Sequence, residues 1–403
     1  MPKTTKNALA IHGGTPVRGA DKKWPGWPQF DDTERKALNE VLESGKWFFG
    51  DRVTQFEREY ADYQDARFCV TCNSGTAAAE IAMQALGIGP GDEVLVPAYT
   101  FIATASSVAR VGATPIFVDI DDSWCMDPAL AEAAITPRTK AIMPVHFGSQ
   151  VCDMDRFNAL AQKHNLKIIE DACHSWGSKW KGKGTGALGF GGVFSFQASK
   201  NITAGEGGAI LTDNEEFADA CKSITNCGRA KGSVWYGHVL LGTNARITEF
   251  AAALLSAQLS RLQEHTLRRQ RNAAILNKEL GAIEGLIPQP GDSRMTQRAY
   301  HLYCMRMDDK AFGCSREQMV EAARAEGLPI GPGYAVPLYK QPVFAERKGT
   351  PDYTKCHCPA TEDLCYRTGT WFGHPNLLGS EEDMYDIVAI FKKIKENVSL
   401  LAK

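Results

Sequence analysis

The sequence predicts an α/β protein, with a mostly parallel sheet between helices and a smaller α+β region after it. Three observations carry this. From about Cys69 to Leu211, short apolar runs alternate with helical stretches, the pattern of strand–helix–strand units. A long helical stretch over 248–280 then breaks the alternation. From Gly285 onward strand-like and helical patterns mix on a smaller scale.

The first 30 residues are rich in Gly, Pro and Trp (Gly13-Gly14, Trp24-Pro25-Gly26-Trp27-Pro28). They read as an extended arm that packs its aromatics against something rather than as a regular element. Asp31-Asp32-Thr33-Glu34 caps a helix, because short oxygen side chains satisfy the free N–H groups at its start. Apolar runs predict strands over 93–97, 114–118, 141–145, 167–170, 192–196 and 209–212, with helices over 77–85, 102–110 and 154–164. Further on, strands and helices mix in a smaller pattern that takes in 300–307, 316–326 and 380–395. No repeat or low-complexity tract occurs. The expected organisation is an arm (1–30), a large domain (31–260) and a small C-terminal domain (261–403).

The 403 residues are enough for two or three domains and a large core. A net charge of −2 makes no electrostatic case for nucleic acid or an anionic membrane as partner. No run approaches the roughly 20 apolar residues that span a bilayer. Residues 1–6 carry two lysines but no apolar leader follows before Gly13. Twelve scattered cysteines favour free thiols and a reducing cytoplasm. Cys356-His357-Cys358, with Cys365 nearby, has poor spacing for zinc, because no second paired cluster follows. The run Arg268-Arg269-Gln270-Arg271 lies in a helical pattern and reads as a solvated face.

The chemistry centres on Lys200, in Phe194-Ser195-Phe196-Gln197-Ala198-Ser199-Lys200-Asn201, before the glycine-rich turn Gly205-Glu206-Gly207-Gly208. A lysine leaving a buried strand is partly desolvated, which suits an uncharged amine that attacks an aldehyde. With a carboxylate at the end of another apolar run, it reads as a pyridoxal 5′-phosphate site. The cofactor's phosphate needs N–H groups and hydroxyls at a helix start, and Ser74-Gly75-Thr76 supplies them, with Ser195 as a further hydroxyl. Its ring nitrogen needs an anion, which keeps it protonated. Asp171 fills that role, or Glu170, since neighbours on a strand point opposite ways. His174 is placed to contact the ring or its phenolic oxygen. Tyr99-Thr100-Phe101 offers an aromatic plate for the ring face.

With these residues the chain resembles the DegT/StrS family of sugar and aminocyclitol aminotransferases. The marks are Asn73-Ser74-Gly75-Thr76, Pro97-Ala98-Tyr99-Thr100-Phe101, Glu170-Asp171-Ala172, residues 194–208, residues 242–249 and Cys358-Pro359-Ala360-Thr361-Glu362, in that order. The resemblance implies fold type I, with a seven-stranded, mostly parallel sheet and a smaller C-terminal domain. It implies that Lys200 is the Schiff-base lysine, Asp171 the partner of the ring nitrogen, and Phe101 the residue stacked on the ring. His174 covers the other face or meets the phenolic oxygen, and Gly75, Thr76 and Ser195 match the phosphate cradle. Asn244 matches an asparagine reaching the phosphate from a neighbouring subunit, so a homodimer with shared sites is implied.

The resemblance further implies ping-pong transfer of an amino group from glutamate or glutamine to a keto-sugar or keto-cyclitol. Gln197 and Trp371-Phe372-Gly373-His374-Pro375 lean toward the aminocyclitol and aminohydroxybenzoate branch, and Ala245 stands where many members carry an aromatic. A keto-sugar dehydratase and a non-catalytic cofactor-binding regulator are the alternatives; Lys200 argues against the first, since dehydrating members carry histidine there. Arg229, Arg246 and Arg298 are the candidates for holding the donor carboxylate.

Overall fold

In a computed structural model, the structure describes residues 8–401 apart from 231, 233, 235 and 348–350. The leader reading at residues 1–6 therefore lies outside the described residues. Seven strands form the central sheet: β1 (Phe68–Cys72), β2 (Glu93–Pro97), β3 (Thr114–Val118), β4 (Thr139–Ile142), β5 (Lys167–Asp171), β8 (Gly191–Ser195) and β9 (Gly208–Thr212). Between β5 and β8 lie the short strands β6 (Lys179–Trp180) and β7 (Lys183–Gly184). The central order is β1-β9-β8-β5-β4-β2-β3. Every pairing from β8 through β5, β4 and β2 to β3 is parallel, and β9 runs antiparallel between β8 and β1.

Helices α1 (Asp32–Ser44) and α2 (Asp51–Tyr63) precede the sheet. Asp31 accepts from Thr33 N–H while Glu34 reaches back to Asp31 N–H, the reciprocal cap expected of that sequence. Crossover helices α3 (Gly75–Ala85), α4 (Ala103–Arg110), α5 (Pro128–Ala133) and α6 (Met154–His164) join the parallel strands, and α7 (Glu215–Thr225) follows β9. One apolar core packs α3, α4 and α7 on one sheet face through Val94, Val96, Ile169, Val193 and Ile210. On the other face Leu95, Val118 and Ile142 meet α6, while Phe194, Phe196 and Leu211 meet α2. Burial on both faces explains why these strands read as continuous apolar runs.

The predicted strand over 141–145 is shorter than expected. Its ladder stops at Ile142, because Pro144 has no N–H to donate, and resumes in a single bridge between Val145 and Asp171. Gly182 is at the tip of the β6–β7 hairpin, with Lys183 and Gly184 in its second strand.

Helix α8 (Glu249–Gly281) is 33 residues long, about 50 Å at 1.5 Å per residue. Its first half (Ala252, Leu255, Leu262) belongs to the core with α2 and Phe196. Its second half (Ala273, Leu276, Leu280) belongs to a separate C-terminal core. The expectation of a solvated basic face is corrected at Arg269, which is fully buried and donates from Nε to Ala299 O at 2.9 Å. Arg271 stays exposed and Arg268 partly so, as a solvated face requires, while Arg269 lies on the side of the helix that packs inward.

Strands β10 (Leu286–Pro288), β12 (Leu302–Met307), β13 (Ile330–Gly331) and β14 (Gly369–Gly373) form an antiparallel sheet ordered β10-β12-β14-β13, and β11 (Met295–Gln297) joins β6 and β7. Helices Arg316–Ala325 and Glu381–Glu396 cover the four-stranded sheet. The N-terminal arm forms a short 3-10 turn, Ala10–His12, where no regular element was expected. As expected, its aromatics pack: Trp24 Nε1 donates to Gly327 O, and Trp27 Nε1 to Ala198 O. Among the described residues no helix is long and apolar enough to cross a membrane.

Candidate active site

The carboxyl ends of the parallel strands open into a cavity of about 430 Å³, the place where α/β sheets collect ligands. Ser74, Gly75, Thr76, Phe101, Asp171, His174, Ser195 and Lys200 all line it. Eight of the nine sequence-predicted site residues therefore meet in one place.

The cradle is built at the start of α3. Ser74 caps the helix, its Oγ accepting from Ala77 N–H at 3.1 Å. The N–H groups of Gly75 and Thr76, in the first turn, have no intrahelical acceptor. A Cβ at Gly75 would sit 2.6 Å from Ser195 Cβ, and one at Gly208 would sit 2.3 Å from Ser74 O. Only glycines let β8, β9 and the helix start close up, which brings the Ser195 hydroxyl beside the helix N-terminus. This cradle fits a phosphate.

Strand alternation decides between the two carboxylates. Asp171 faces the cavity, with Oδ2 accepting from Thr104 Oγ1 at 2.7 Å and Oδ1 from Cys173 N–H at 3.2 Å. Glu170 faces the other way. It accepts from the N–H groups of Gly186, Leu188 and Gly189 at 2.7–2.8 Å and lies 2.9 Å from His146 Nε2. His146 Nδ1 accepts from Cys152 N–H, so Nε2 carries the proton toward Glu170.

Lys200 is largely buried beside the Trp176 ring, and burial pulls its amine below the ordinary lysine value, against the attraction of Cys173 and Asp171. His174 is held neutral by burial and by the Lys200 charge, and its Nδ1 accepts from Gly148 N–H at 3.4 Å. Phe101 is exposed at the cavity mouth, well placed to cover a planar ring.

Asn244 is the exception. It sits on an exposed loop, bridged to Asn226, and does not line the cavity of its own chain. Arg229, Arg246 and Arg298 are also not brought there. Arg246 donates to Asn226 Oδ1 and lies over Phe48, while Arg298 is buried against Gln289 and Tyr300. Tyr334, Thr104 and His301 reach the site or its partners without any sequence signal, since each comes from an element whose approach is set by tertiary packing. Thr100 and Thr104 at helical spacing, their hydroxyls 3.0 Å apart, are the one local hint.

Residues 28–392 match the family model of DegT/DnrJ/EryC1/StrS aminotransferases. The chain belongs to that family. Like other DegT/DnrJ/EryC1/StrS members it is an aminotransferase of fold type I. It is 39% identical over 416 residues to the L-glutamine:2-deoxy-scyllo-inosose aminotransferase of Streptoalloteichus tenebrarius, covering 96% of this chain and 97% of that one. It is 37% identical over 375 residues to the 3-amino-5-hydroxybenzoate synthase of Amycolatopsis mediterranei, covering 90% and 95%. A crystal structure of 3-amino-5-hydroxybenzoic acid synthase superposes with a TM-score of 0.86 at 35% identity, over 94% of this chain and 99% of that one.

Proposed function

We propose that this family member holds pyridoxal 5′-phosphate in the cavity and transfers an amino group from glutamine or glutamate to a keto-cyclitol of the inosose type. The observation that carries the reading is a desolvated lysine amine in one cavity with a carboxylate facing it and a helix-start cradle nearby. Ser74, Gly75, Thr76 and Ser195 would hold the phosphate, Asp171 the ring nitrogen, and Phe101 and His174 the ring faces. When bound, the cofactor supplies an electron sink for the charge left when the donor Cα–H bond breaks. Lys200 Nζ takes that proton, which an uncharged amine can do and an ammonium cannot. Its depressed pKa therefore favours the working form. The same amine returns a proton when the keto carbon becomes an amine.

The acceptor class follows from charge. Lys200 is the only lysine or arginine among the described residues lining the cavity, whereas Asp171 and Glu206 are acidic. Once a cofactor phosphate takes the helix start, no second lysine or arginine among the described lining residues of this chain is left to meet the diphosphate of a nucleotide sugar. Gln197, Ser199 and Glu206 instead offer hydrogen bonds to ring hydroxyls, and Trp371 and Tyr334 offer apolar faces. The 2-deoxy-scyllo-inosose in the name of one relative is a neutral keto-cyclitol, which supports this reading. We further propose a homodimer in which Asn244 completes the partner's phosphate site; its exposure in the single chain is compatible with that role.

The test is a panel of keto acceptors given to the amine-loaded enzyme, read as return of the visible band of the lysine-linked cofactor. An inosose should restore the band faster than a nucleotide keto-sugar. Restoration by nucleotide sugars alone would refute the acceptor assignment, and absence of any visible band in the purified protein would refute the cofactor.

A further inference from the structure

His301, which lines the cavity, and His374 stand side by side against the Lys200 loop. His301 immediately precedes β12 and His374 immediately follows β14, and His374 N–H donates to His301 O at 3.0 Å. Their rings stack, with centroids 5.6 Å apart. Each reaches the lysine loop on a different side of Lys200. His374 Nε2 lies 3.1 Å from Ser199 O. A carbonyl only accepts, so Nε2 carries the proton. His301 Nδ1 lies 2.9 Å from Asn201 Oδ1. Asn201 spends its amide N–H on Ala299 O at 3.1 Å, so its oxygen is the acceptor and His301 Nδ1 the donor.

The two residues flanking Lys200 in sequence are thus each held by an imidazole N–H from the C-terminal sheet. The rest of the surround is closely packed. His301 packs on His174 at 4.4 Å and on the edge of Trp176 at 5.3 Å, Trp27 packs edge-on to His374 at 4.5 Å, and Trp27 Nε1 donates to Ala198 O. Lys200 itself is aimed by a loop with little secondary structure of its own, so its direction depends on these outside contacts.

We propose that His301 and His374 are positioning residues that fix the direction of the Lys200 amine, and that through them the C-terminal sheet sets proton transfer at the cavity. The proposal rests on the reading of Lys200 as the reacting amine. Displacing a reacting group by about 1 Å costs on the order of 100-fold in rate, so small losses of restraint are measurable.

The test uses the intact, cofactor-loaded enzyme and, separately, its apo form. His301→Leu should lower kcat for the donor half-reaction by roughly 10- to 100-fold, with KM for the donor little changed and the visible cofactor band retained. His301→Asn, whose amide can donate from nearly the position of Nδ1, should recover most of the loss. His374→Gln should likewise recover what His374→Leu loses, because Gln mimics the Nε2 donor. In the apo form, hydrogen exchange of peptides spanning 196–204 should quicken in the Leu variants and return to normal in the Asn and Gln variants. Should His301→Leu fold poorly, Asn201→Leu removes the same bond from the loop side, and combining it with His301→Asn should add no further loss. Equal rates in the Leu variants, or Asn and Gln variants as slow as the Leu ones, would overturn the proposal. Full activity in Lys200→Ala would instead overturn the reading beneath it.

Discussion

Glu170 and Asp171 are neighbours on β5 that face opposite sides of the sheet, and their surroundings divide two tasks between them. Glu170 is fully buried and satisfied by three backbone N–H groups and His146. Asp171 is turned into the cavity, its carboxylate having two hydrogen-bond partners among the described residues. Asp171→Ala should therefore leave thermal stability nearly unchanged while lowering turnover at least roughly 100-fold, about 2.7 kcal/mol of transition-state stabilisation. Glu170→Ala should do the reverse first, because it strands three N–H groups and His146; loss of a buried charged partner costs about 3–5 kcal/mol. Denaturant titration and steady-state rates on both variants separate the two.

Lys200→Ala should abolish transamination and the visible band together. Lys200→Arg should do the same, because a guanidinium stays charged and cannot serve as the amine. In the unmodified apo-protein, burial lowers the Lys200 pKa. Its uncharged fraction should thus rise with pH earlier than that of an ordinary lysine with a value of 10.5. Competitive acylation followed by peptide mass spectrometry reads this directly, and a titration at or above 10.5 would contradict it.

Gly75→Ala tests the cradle. The added Cβ would lie 2.6 Å from Ser195 Cβ and 3.0 Å from its Cα, and neither belongs to a flexible tip. The start of α3 or the end of β8 must move, so cofactor affinity should fall at least roughly tenfold, a cost of about 1.4 kcal/mol. Equilibrium dialysis against pyridoxal phosphate measures it. Ser195→Ala, which removes a hydroxyl without a clash, should have a smaller effect.

Acid should destabilise the fold through its histidines. His174, His301 and His374 are each held well below 6.5 by burial first, and His265 is lowered to about 4. Above 6.5 these rings are neutral both folded and unfolded. As pH falls below that value the unfolded chain binds protons that the folded chain refuses, so stability drops. The midpoint of thermal unfolding should decline from about pH 6.5 toward pH 4. Replacing His301 with Asn should flatten part of that slope.

The proposed sharing of the site between two subunits predicts complementation. Mixed dimers of a Lys200→Ala subunit and an Asn244→Ala subunit should regain part of the activity that each lacks alone, because one of the two sites then keeps both residues. No recovery in verified mixed dimers would count against Asn244 acting across an interface.

The sequence by itself determined six of the seven central strands, though not β1, together with the cap of α1 and most of the residues that line the candidate site. Strands buried on both faces leave continuous apolar runs, and a cofactor's phosphate, ring nitrogen and aldehyde each demand a residue type at a strand or helix end. Those are local constraints, and Lys200, Ser74, Gly75 and Phe101 carry them openly. Period-2 alternation showed that Glu170 and Asp171 must face apart, but only the packed sheet decided which one meets the cavity. The same limit hid His301, Thr104 and Tyr334, whose neighbours lie far away in the chain. It also misplaced Arg269, which lies on the inward side of a helix whose two halves pack into different cores, while its neighbour Arg271 stays exposed. Burial by distant elements is a property of the assembled layers, and a charge run in one helix carries no record of what will cover it.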